Sequence, residues 1–130
     1  MIYLDSCALV KLVAREPETP ALRAFLSAHA AEAHITSALA RVEVVRAVRH
    51  LGEPAVLAAR ELLTLADQLA LSEDLLDTAA DADPAILRSV DAIHLATAAS
   101  LGEALTAFVT YDKHLAAAAV DAGLPLHSPS

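Results

Sequence analysis

Short apolar runs alternate with longer amphipathic segments along the chain. Ile2-Tyr3-Leu4 is a run of strand formers, and Asp5 and Ser6, which favour helix N-caps, follow it directly. Similar short runs predict further strands at 34–36, 69–72, 107–110 and 124–126. The segments between the runs predict helices at 8–14, from Pro20 onward, at 39–51, 54–68, 74–82, 84–101 and 113–122.

This alternation of strands and helices predicts a parallel sheet with helices on both faces. The expected fold class is therefore α/β, a three-layer α/β/α domain with a short, mainly parallel central sheet. Two helices carry apolar positions that we expect to face the core. These positions are Leu39, Val42, Val45 and Val48 in the segment 39–51, and Leu57, Leu62 and Leu65 in the segment 54–68.

Composition supports this fold class. A length of 130 residues favours one domain spanning residues 1–130. Hydrophobic residues make up 56% of the chain, which argues against disorder, while three glycines and 3% aromatic residues argue against an all-β fold. The single cysteine, Cys7, excludes an internal disulfide and a cysteine-based zinc site.

Two observations predict a cytoplasmic protein that does not contact a membrane. The longest stretch without Asp, Glu, Lys or Arg is 92–102, shorter than the roughly 18 apolar residues that a membrane span needs. The N-terminal residues lack the basic segment of a secretion signal.

Charge is distributed unevenly. The net charge is −8; residues 1–60 hold seven basic and six acidic side chains, and residues 61–130 hold two and eleven. Such a balance disfavours nucleic acid binding through bulk electrostatics, so a polyanion would need a local basic patch or metal ions. The candidates for a phosphate-binding patch are Lys11, Arg15, Arg41, Arg46 and Arg49.

Four acidic residues occupy unusual positions. Asp5 and Asp112 follow predicted strands, where a parallel sheet opens its ligand crevice, while Glu43 and Asp91 lie in largely apolar helical segments. Carboxylates in apolar surroundings need a partner charge, and a divalent cation would relieve the repulsion among several of them. An all-oxygen donor set suits Mg²⁺ or Mn²⁺. The pattern indicates a possible acidic metal site.

Simpler roles remain open for each acid. Asp5 and Asp112 could act only as helix N-caps. Glu43 could pair with Arg46, and Asp91 with Arg88 or His94. Spacing alone does not decide whether the four carboxylates converge.

Four segments in series resemble the PIN-domain family, and within it the VapC toxins of bacterial toxin–antitoxin pairs. The segments are Leu4-Asp5-Ser6-Cys7-Ala8-Leu9-Val10-Lys11-Leu12, Val42-Glu43-Val44, Ser89-Val90-Asp91-Ala92-Ile93-His94-Leu95-Ala96 and Val109-Thr110-Tyr111-Asp112. The resemblance implies a divalent-metal-dependent endoribonuclease, using Mg²⁺ or Mn²⁺ and inhibited by a VapB-type antitoxin. It also implies that the free toxin forms a homodimer through apolar helix faces.

The resemblance also assigns roles to single residues. Asp5 and Asp91 match the principal metal ligands, and Glu43 and Asp112 match the other two acids of the site. Two hydroxyl residues, Ser6 and Thr110, match positions that would orient carboxylates from outside the metal shell.

Two further side chains, Cys7 and His94, lie within these motifs. Cys7 stands where many relatives carry a second hydroxyl group, so this chain is expected to lose any hydrogen bond made there. His94, three residues after Asp91, is a candidate ligand or proton shuttle, although a supporting or core role is favoured.

Other function classes remain as alternatives. The chain could be a catalytically silent PIN-fold module that only binds a partner, or a PIN-type nuclease acting on DNA. A phosphatase with an aspartate nucleophile is disfavoured, because Cys7 stands where that chemistry needs a second acid.

By resemblance, an antitoxin segment should cover the helices at 8–14 and 39–51 and direct a basic side chain to the carboxylates. The apolar side chains expected to receive it are Val10, Val13, Val44 and Val48.

Overall fold

Five short parallel strands form the centre of the fold. The computed structural model describes residues 1–130 and orders the strands β3-β2-β1-β4-β5. The strands are β1 (Ile2–Leu4), β2 (His34–Ser37), β3 (Asp67–Leu69), β4 (Ala107–Val109) and β5 (Leu126–His127). Ile2 pairs with His34 on one side and Ala107 on the other, so β1 is central. Asp5 therefore leaves the sheet at its carboxyl edge, beside the end of β4.

Seven α-helices cover the two faces of the sheet. They are α1 (Ser6–Val13), α2 (Thr19–Ala28), α3 (Ala40–Val48), α4 (Glu53–Leu65), α5 (Glu73–Ala80), α6 (Ser89–Ala99) and α7 (Lys113–Asp121). Short 3-10 turns follow α3 and α6. None of the helices has the length and apolar character needed to cross a lipid bilayer.

Alternation along β1 gives each face of the sheet its own core. Ile2 and Leu4 pack in the cluster that contains Val44 of α3, whereas Tyr3 packs with Leu95 of α6 in a second cluster. Successive strand residues point to opposite faces, so one short strand contributes to both layers. The three-layer α/β/α fold predicted from the sequence is confirmed.

Several predicted boundaries are shifted. The helix expected at 84–101 begins only at Ser89, and Arg88 precedes it in an extended conformation with φ −60° and ψ 147°. The strand expected at 69–72 lies at Asp67–Leu69, and the strand expected at 124–126 is Leu126–His127. The first shift matters for the site, because it places the Arg88 side chain at the N-terminus of α6.

The predicted apolar stripes are partly wrong. Val42 is 57% exposed and Leu65 is 82% exposed, and Leu57 is also exposed, while Val45 and Val48 are buried as expected. In α4 the buried side chains are Ala59 and Leu63. A helix that is apolar on several sides can pack with any of them against the core. The spacing of its larger side chains alone therefore does not show which side is buried.

The surface expected to receive an antitoxin also needs correction. Val44 and Val48 are fully buried and belong to the core cluster beneath α3. Val10 and Val13 are partly buried and pack against that same cluster. Val44 and Val48 are therefore unavailable for docking, because they seal α3 against the sheet.

Candidate active site

Asp5 is a buried carboxylate that caps α1 and also faces β4. Its Oδ1 accepts a hydrogen bond from the Ala8 N–H at 2.9 Å, and its Oδ2 accepts one from Thr110 Oγ1 at 2.5 Å. The residue is 3% exposed. Burial raises the pKa of Asp5, and the hydrogen bonds from Thr110 and Ala8 oppose that rise. Asp5 therefore does cap α1, the role that the sequence left open, while Thr110 holds its second oxygen.

Cys7 and Thr110 tie Asp5 to the beginning of α7. The Cys7 thiol donates to Asp5 Oδ1 at 3.2 Å and accepts from the Tyr111 N–H at 3.3 Å. Burial, with a further contribution from Asp5, raises the pKa of Cys7 to about 12, so the thiol stays neutral. Thr110 Oγ1 also accepts from the Asp112 N–H at 3.1 Å. The expectation that Cys7 loses a hydrogen bond is therefore wrong: the thiol supplies a weaker one.

Glu43 projects from α3 and is held through one oxygen. Its Oε1 accepts from Ser6 Oγ at 2.5 Å and lies 2.7 Å from His94 Nε2. Burial acts to raise the pKa of Glu43, but the hydrogen bonds from His94 and Ser6 outweigh it and the pKa is lowered. Glu43 is therefore an ionised acceptor at neutral pH, and the alternative pairing with Arg46 does not form.

His94 supports Glu43 from the core. The imidazole is 1% exposed, and its Nδ1 lies 2.7 Å from the Tyr3 hydroxyl. An ionised carboxylate can only accept, so Nε2–H donates to Glu43; Nδ1 of a neutral ring then accepts from Tyr3. Both ring nitrogens are engaged, so His94 positions Glu43 instead of serving as a free ligand.

One guanidinium bridges the remaining two acids. Asp91, in the first turn of α6, accepts from Arg88 Nε at 2.9 Å. Asp112 caps α7 through Oδ1 to the Leu115 N–H, and its Oδ2 accepts from Arg88 Nη2 at 3.3 Å. The hydrogen bond to Asp91 is the main reason that the pKa of Arg88 is raised. Sequence reasoning identified the Arg88–Asp91 pair, but no spacing signal links Arg88 to Asp112.

Hydrogen bonds connect three of the four acids, and the fourth, Glu43, is held beside them. Thr110 joins Asp5 to Asp112, and Arg88 joins Asp112 to Asp91. Glu43 is bonded to Ser6, the residue after Asp5. Ser6, Cys7, Glu43 and Asp112 also line a cleft of about 470 Å³. The structure thus brings all six predicted site residues to one end of the sheet.

The donor chemistry of this network fits a hard divalent cation. All four acidic side chains offer oxygen atoms, and Asp5 is buried without an ion pair to any cationic side chain. As arranged, no three His, Cys, Asp or Glu side chains form a group that could hold a metal ion. Each carboxylate is instead hydrogen-bonded to protein donors, and Asp91 and Asp112 share one of them, Arg88. A metal ion that binds both Asp91 and Asp112 would therefore have to displace the Arg88 guanidinium.

The predicted basic patch is only partly available. Lys11 is buried and paired with Glu16 at 2.5 Å and Glu18 at 2.9 Å, and its Nζ lies 4.7 Å from the centre of the Tyr111 ring. Burial acts to lower the pKa of Lys11, but the hydrogen bonds that its ammonium donates to Glu16 and Glu18 overcome this and raise the pKa. Lys11 therefore builds the cleft wall. The exposed members of the patch are Arg15, Arg41, Arg46 and Arg49.

Comparisons with known proteins agree with this architecture. A family model described as "PIN domain" matches residues 2–121. "Ribonuclease VapC47" of Mycobacterium tuberculosis is 46% identical over 132 residues, covering 99% of this chain and 97% of that protein. "Ribonuclease VapC46" from the same species is 46% identical over 129 residues, covering 99% and 98%.

A solved structure shows the same fold. The crystal structure of M. tuberculosis VapC20, described as a Sarcin-Ricin loop cleaving toxin, superposes with a TM-score of 0.75. The match covers 91% of this chain and 95% of that one, at 21% sequence identity. At this identity the likeness concerns the fold alone.

Proposed function

Because this chain belongs to the PIN-domain family and is a VapC-type ribonuclease, we propose that its acidic cleft hydrolyses RNA phosphodiester bonds. VapC ribonucleases are the toxins of toxin–antitoxin pairs, so the family and function predicted from the sequence are confirmed. The observation that supports this site as the active site is the hydrogen-bond network that joins Asp5, Asp112 and Asp91 at the carboxyl edge of the sheet, with Glu43 bonded to Ser6 beside it.

We assign these four acids to a site for Mg²⁺ or Mn²⁺. Asp5 and Asp91 are the principal ligands in this proposal, and Glu43 and Asp112 complete the site. A cation held by these acids would supply an activated water and would stabilise charge on the phosphoryl oxygens. The protein's part is to hold the carboxylates in place: Thr110 fixes Asp5 through the 2.5 Å hydrogen bond.

Glu43 is positioned by its own set of donors. Ser6 from α1 and His94 from α6 hold the same oxygen, and Tyr3 fixes the His94 ring from the core. This leaves Oε2 of Glu43 free to face the cleft. Supporting groups of this kind orient metal-binding carboxylates and tune their affinity.

The substrate is proposed to be held mainly through its phosphates. The chain has only two tyrosines, two phenylalanines and no tryptophan, which is too few for a base-stacking platform. The exposed arginines Arg15, Arg41, Arg46 and Arg49 are available for backbone contacts.

A VapB-type antitoxin is the expected partner of a VapC toxin. We propose that it covers α1 and directs a basic side chain to the acids of the site, two of which already pair with Arg88. The proposal further includes one PIN domain over residues 1–130, a homodimer formed through apolar helix faces, and action in the cytoplasm without membrane contact.

A comparison of substrates tests the activity. Purified protein with Mn²⁺ should cleave RNA in a total-RNA preparation and leave the DNA strand copied from it intact. Cleavage of the DNA strand would identify a DNA nuclease. Failure to cleave total RNA, with the protein folded and Mn²⁺ bound, would favour the silent partner-binding module.

A further inference from the structure

Arg88 occupies a position that a simple surface ion pair does not explain. Its fork reaches two carboxylates from different helices: Nε donates to Asp91 at 2.9 Å and Nη2 donates to Asp112 at 3.3 Å. Asp91 and Asp112 are 21 residues apart along the chain and meet only through this side chain. The guanidinium therefore lies where it neutralises part of the negative charge of the site.

The same side chain is free to leave. The Arg88 side chain is 69% exposed, and its backbone is extended ahead of α6. The carboxylate ends are less accessible, since the side chain of Asp91 is 8% exposed and that of Asp112 is 26% exposed. Arg88 can therefore leave at a small penalty when another cation takes its place beside the buried carboxylate of Asp91. A single positive charge also leaves the two carboxylates with a net negative charge, which a divalent cation would compensate better.

Arg88 would remain close to the substrate after such a move. Residues 61–130 contain only two basic side chains, Arg88 and Lys113, against eleven acids. Of these two, Arg88 is the one paired with the acids of the site. The planar guanidinium suits phosphate oxygens as well as carboxylates, because both accept two parallel hydrogen bonds.

We propose that Arg88 is a displaceable internal cation that bridges Asp91 and Asp112 before these acids bind a metal ion, and then binds an RNA phosphate. This inference rests on the proposed function, since it takes Asp91 and Asp112 as part of the metal site. It assigns to Arg88 a substrate-binding role in addition to its contacts with the acids.

Calorimetric titration of the whole protein with Mn²⁺, without RNA, tests the first part. Arg88→Gln should bind Mn²⁺ roughly threefold to tenfold more tightly than the wild type, because the two ion pairs to Arg88 no longer compete with the metal ion. Arg88→Lys keeps the charge but lacks the fork, so its affinity should lie between the two. Arg60→Gln removes an exposed arginine on α4 and should leave Mn²⁺ affinity unchanged.

The outcomes separate this inference from the metal site beneath it. Equal Mn²⁺ affinity in Arg88→Gln and wild type would overturn the inference and leave the metal site intact. An Arg88→Lys protein that binds Mn²⁺ with wild-type affinity would also overturn the inference, because the positive charge alone would then explain the effect of Arg88. Absence of Mn²⁺ binding in every variant would overturn the proposed metal site together with the inference.

Steady-state cleavage of a fluorescein-labelled RNA oligonucleotide at saturating Mn²⁺ tests the second part. Arg88→Gln should raise KM about tenfold through the lost phosphate contact, with a smaller change in kcat. Arg60→Gln should change neither constant. An unchanged KM in Arg88→Gln would contradict the role in RNA binding.

Discussion

Thr110→Val tests how Asp5 is stabilised in the core. Valine nearly matches the shape of threonine, so the change removes the hydroxyl with little change in packing. Thr110 is fully buried, and its hydroxyl both donates to Asp5 at 2.5 Å and accepts from the Asp112 N–H at 3.1 Å. The substitution leaves a buried carboxylate without one donor and a backbone N–H without its acceptor.

The expected loss of stability follows from these two contacts. A hydrogen bond to a charged group contributes about 1.5–3 kcal/mol, and a neutral one about 1 kcal/mol. We therefore expect Thr110→Val to lower the free energy of unfolding by about 2–4 kcal/mol. For a domain of this size, that loss corresponds to a fall in Tm on the order of 10 °C.

Chemical denaturation followed by circular dichroism measures this loss, with Thr110→Ser as the matched control. Serine keeps the hydroxyl and removes one buried methyl group, so we expect a loss of about 1 kcal/mol. A Thr110→Val protein as stable as wild type, or a Thr110→Ser protein equally destabilised, would refute the role of the hydroxyl.

The pH dependence of the same experiment gives a second check. Burial raises the folded-state pKa of Asp5, so its contribution to stability falls as the pH rises from the unfolded-state pKa through the folded-state one. Removing the Thr110 hydroxyl raises that folded-state pKa further. The deficit of Thr110→Val should therefore be largest above both folded-state values and shrink as Asp5 becomes protonated.

Three further predictions concern the supports of the site and the corrected core. Because the folded-state pKa of Glu43 is lowered, the stability that its carboxylate contributes should be lost as the pH falls through that pKa. Denaturation curves of Glu43→Gln at several pH values should lack this loss of stability in acid. A Glu43→Gln protein with the same pH dependence as the wild type would contradict the prediction. His94→Phe leaves Glu43 and Tyr3 without their shared hydrogen-bond partner. We expect thermal unfolding to show that the free energy of unfolding falls by about 2–4 kcal/mol, and calorimetry to show weaker Mn²⁺ binding. An unchanged Mn²⁺ affinity would show that His94 only packs in the core. Val48→Ala should lower the free energy of unfolding by about 1.5–3 kcal/mol, because Val48 is buried, and Val42→Ala by less than about 0.5 kcal/mol, because Val42 is exposed. Equal losses in the two variants would mean that Val42 is also buried, as its spacing in the sequence predicts.

The fold was largely predictable because the two strands at the centre of the sheet, β1 and β4, are short apolar runs. Ile2-Tyr3-Leu4 is followed at once by a capping residue, and both features depend only on local sequence. The start of α6 was not predictable in the same way. Residues 84–88 contain no helix-breaking signal after Pro84, yet the chain is extended at Arg88, where its side chain meets Asp91 and Asp112.

The candidate site was predictable as a set of acids, while its internal connections were not. Asp5 and Asp91 were identified as candidate ligands by resemblance to a family, because the order of short motifs along a chain can be recognised even where the rest of the sequence differs. The bond from His94 to Tyr3 joins positions 91 residues apart, and the bond from Arg88 to Asp112 joins positions 24 apart. Contacts of this kind depend on packing between elements, so no periodicity in the sequence encodes them.

Metal-dependent RNA cleavage by wild type and Asp91→Asn tests the central claim most directly. Asparagine keeps the size of Asp91 and removes the charge that would hold the cation, so the fold should persist. After EDTA treatment, the wild type should lose cleavage of total RNA and regain it on addition of Mn²⁺ or Mg²⁺, while Asp91→Asn stays inactive. Full cleavage in excess chelator, or by folded Asp91→Asn, would contradict the account.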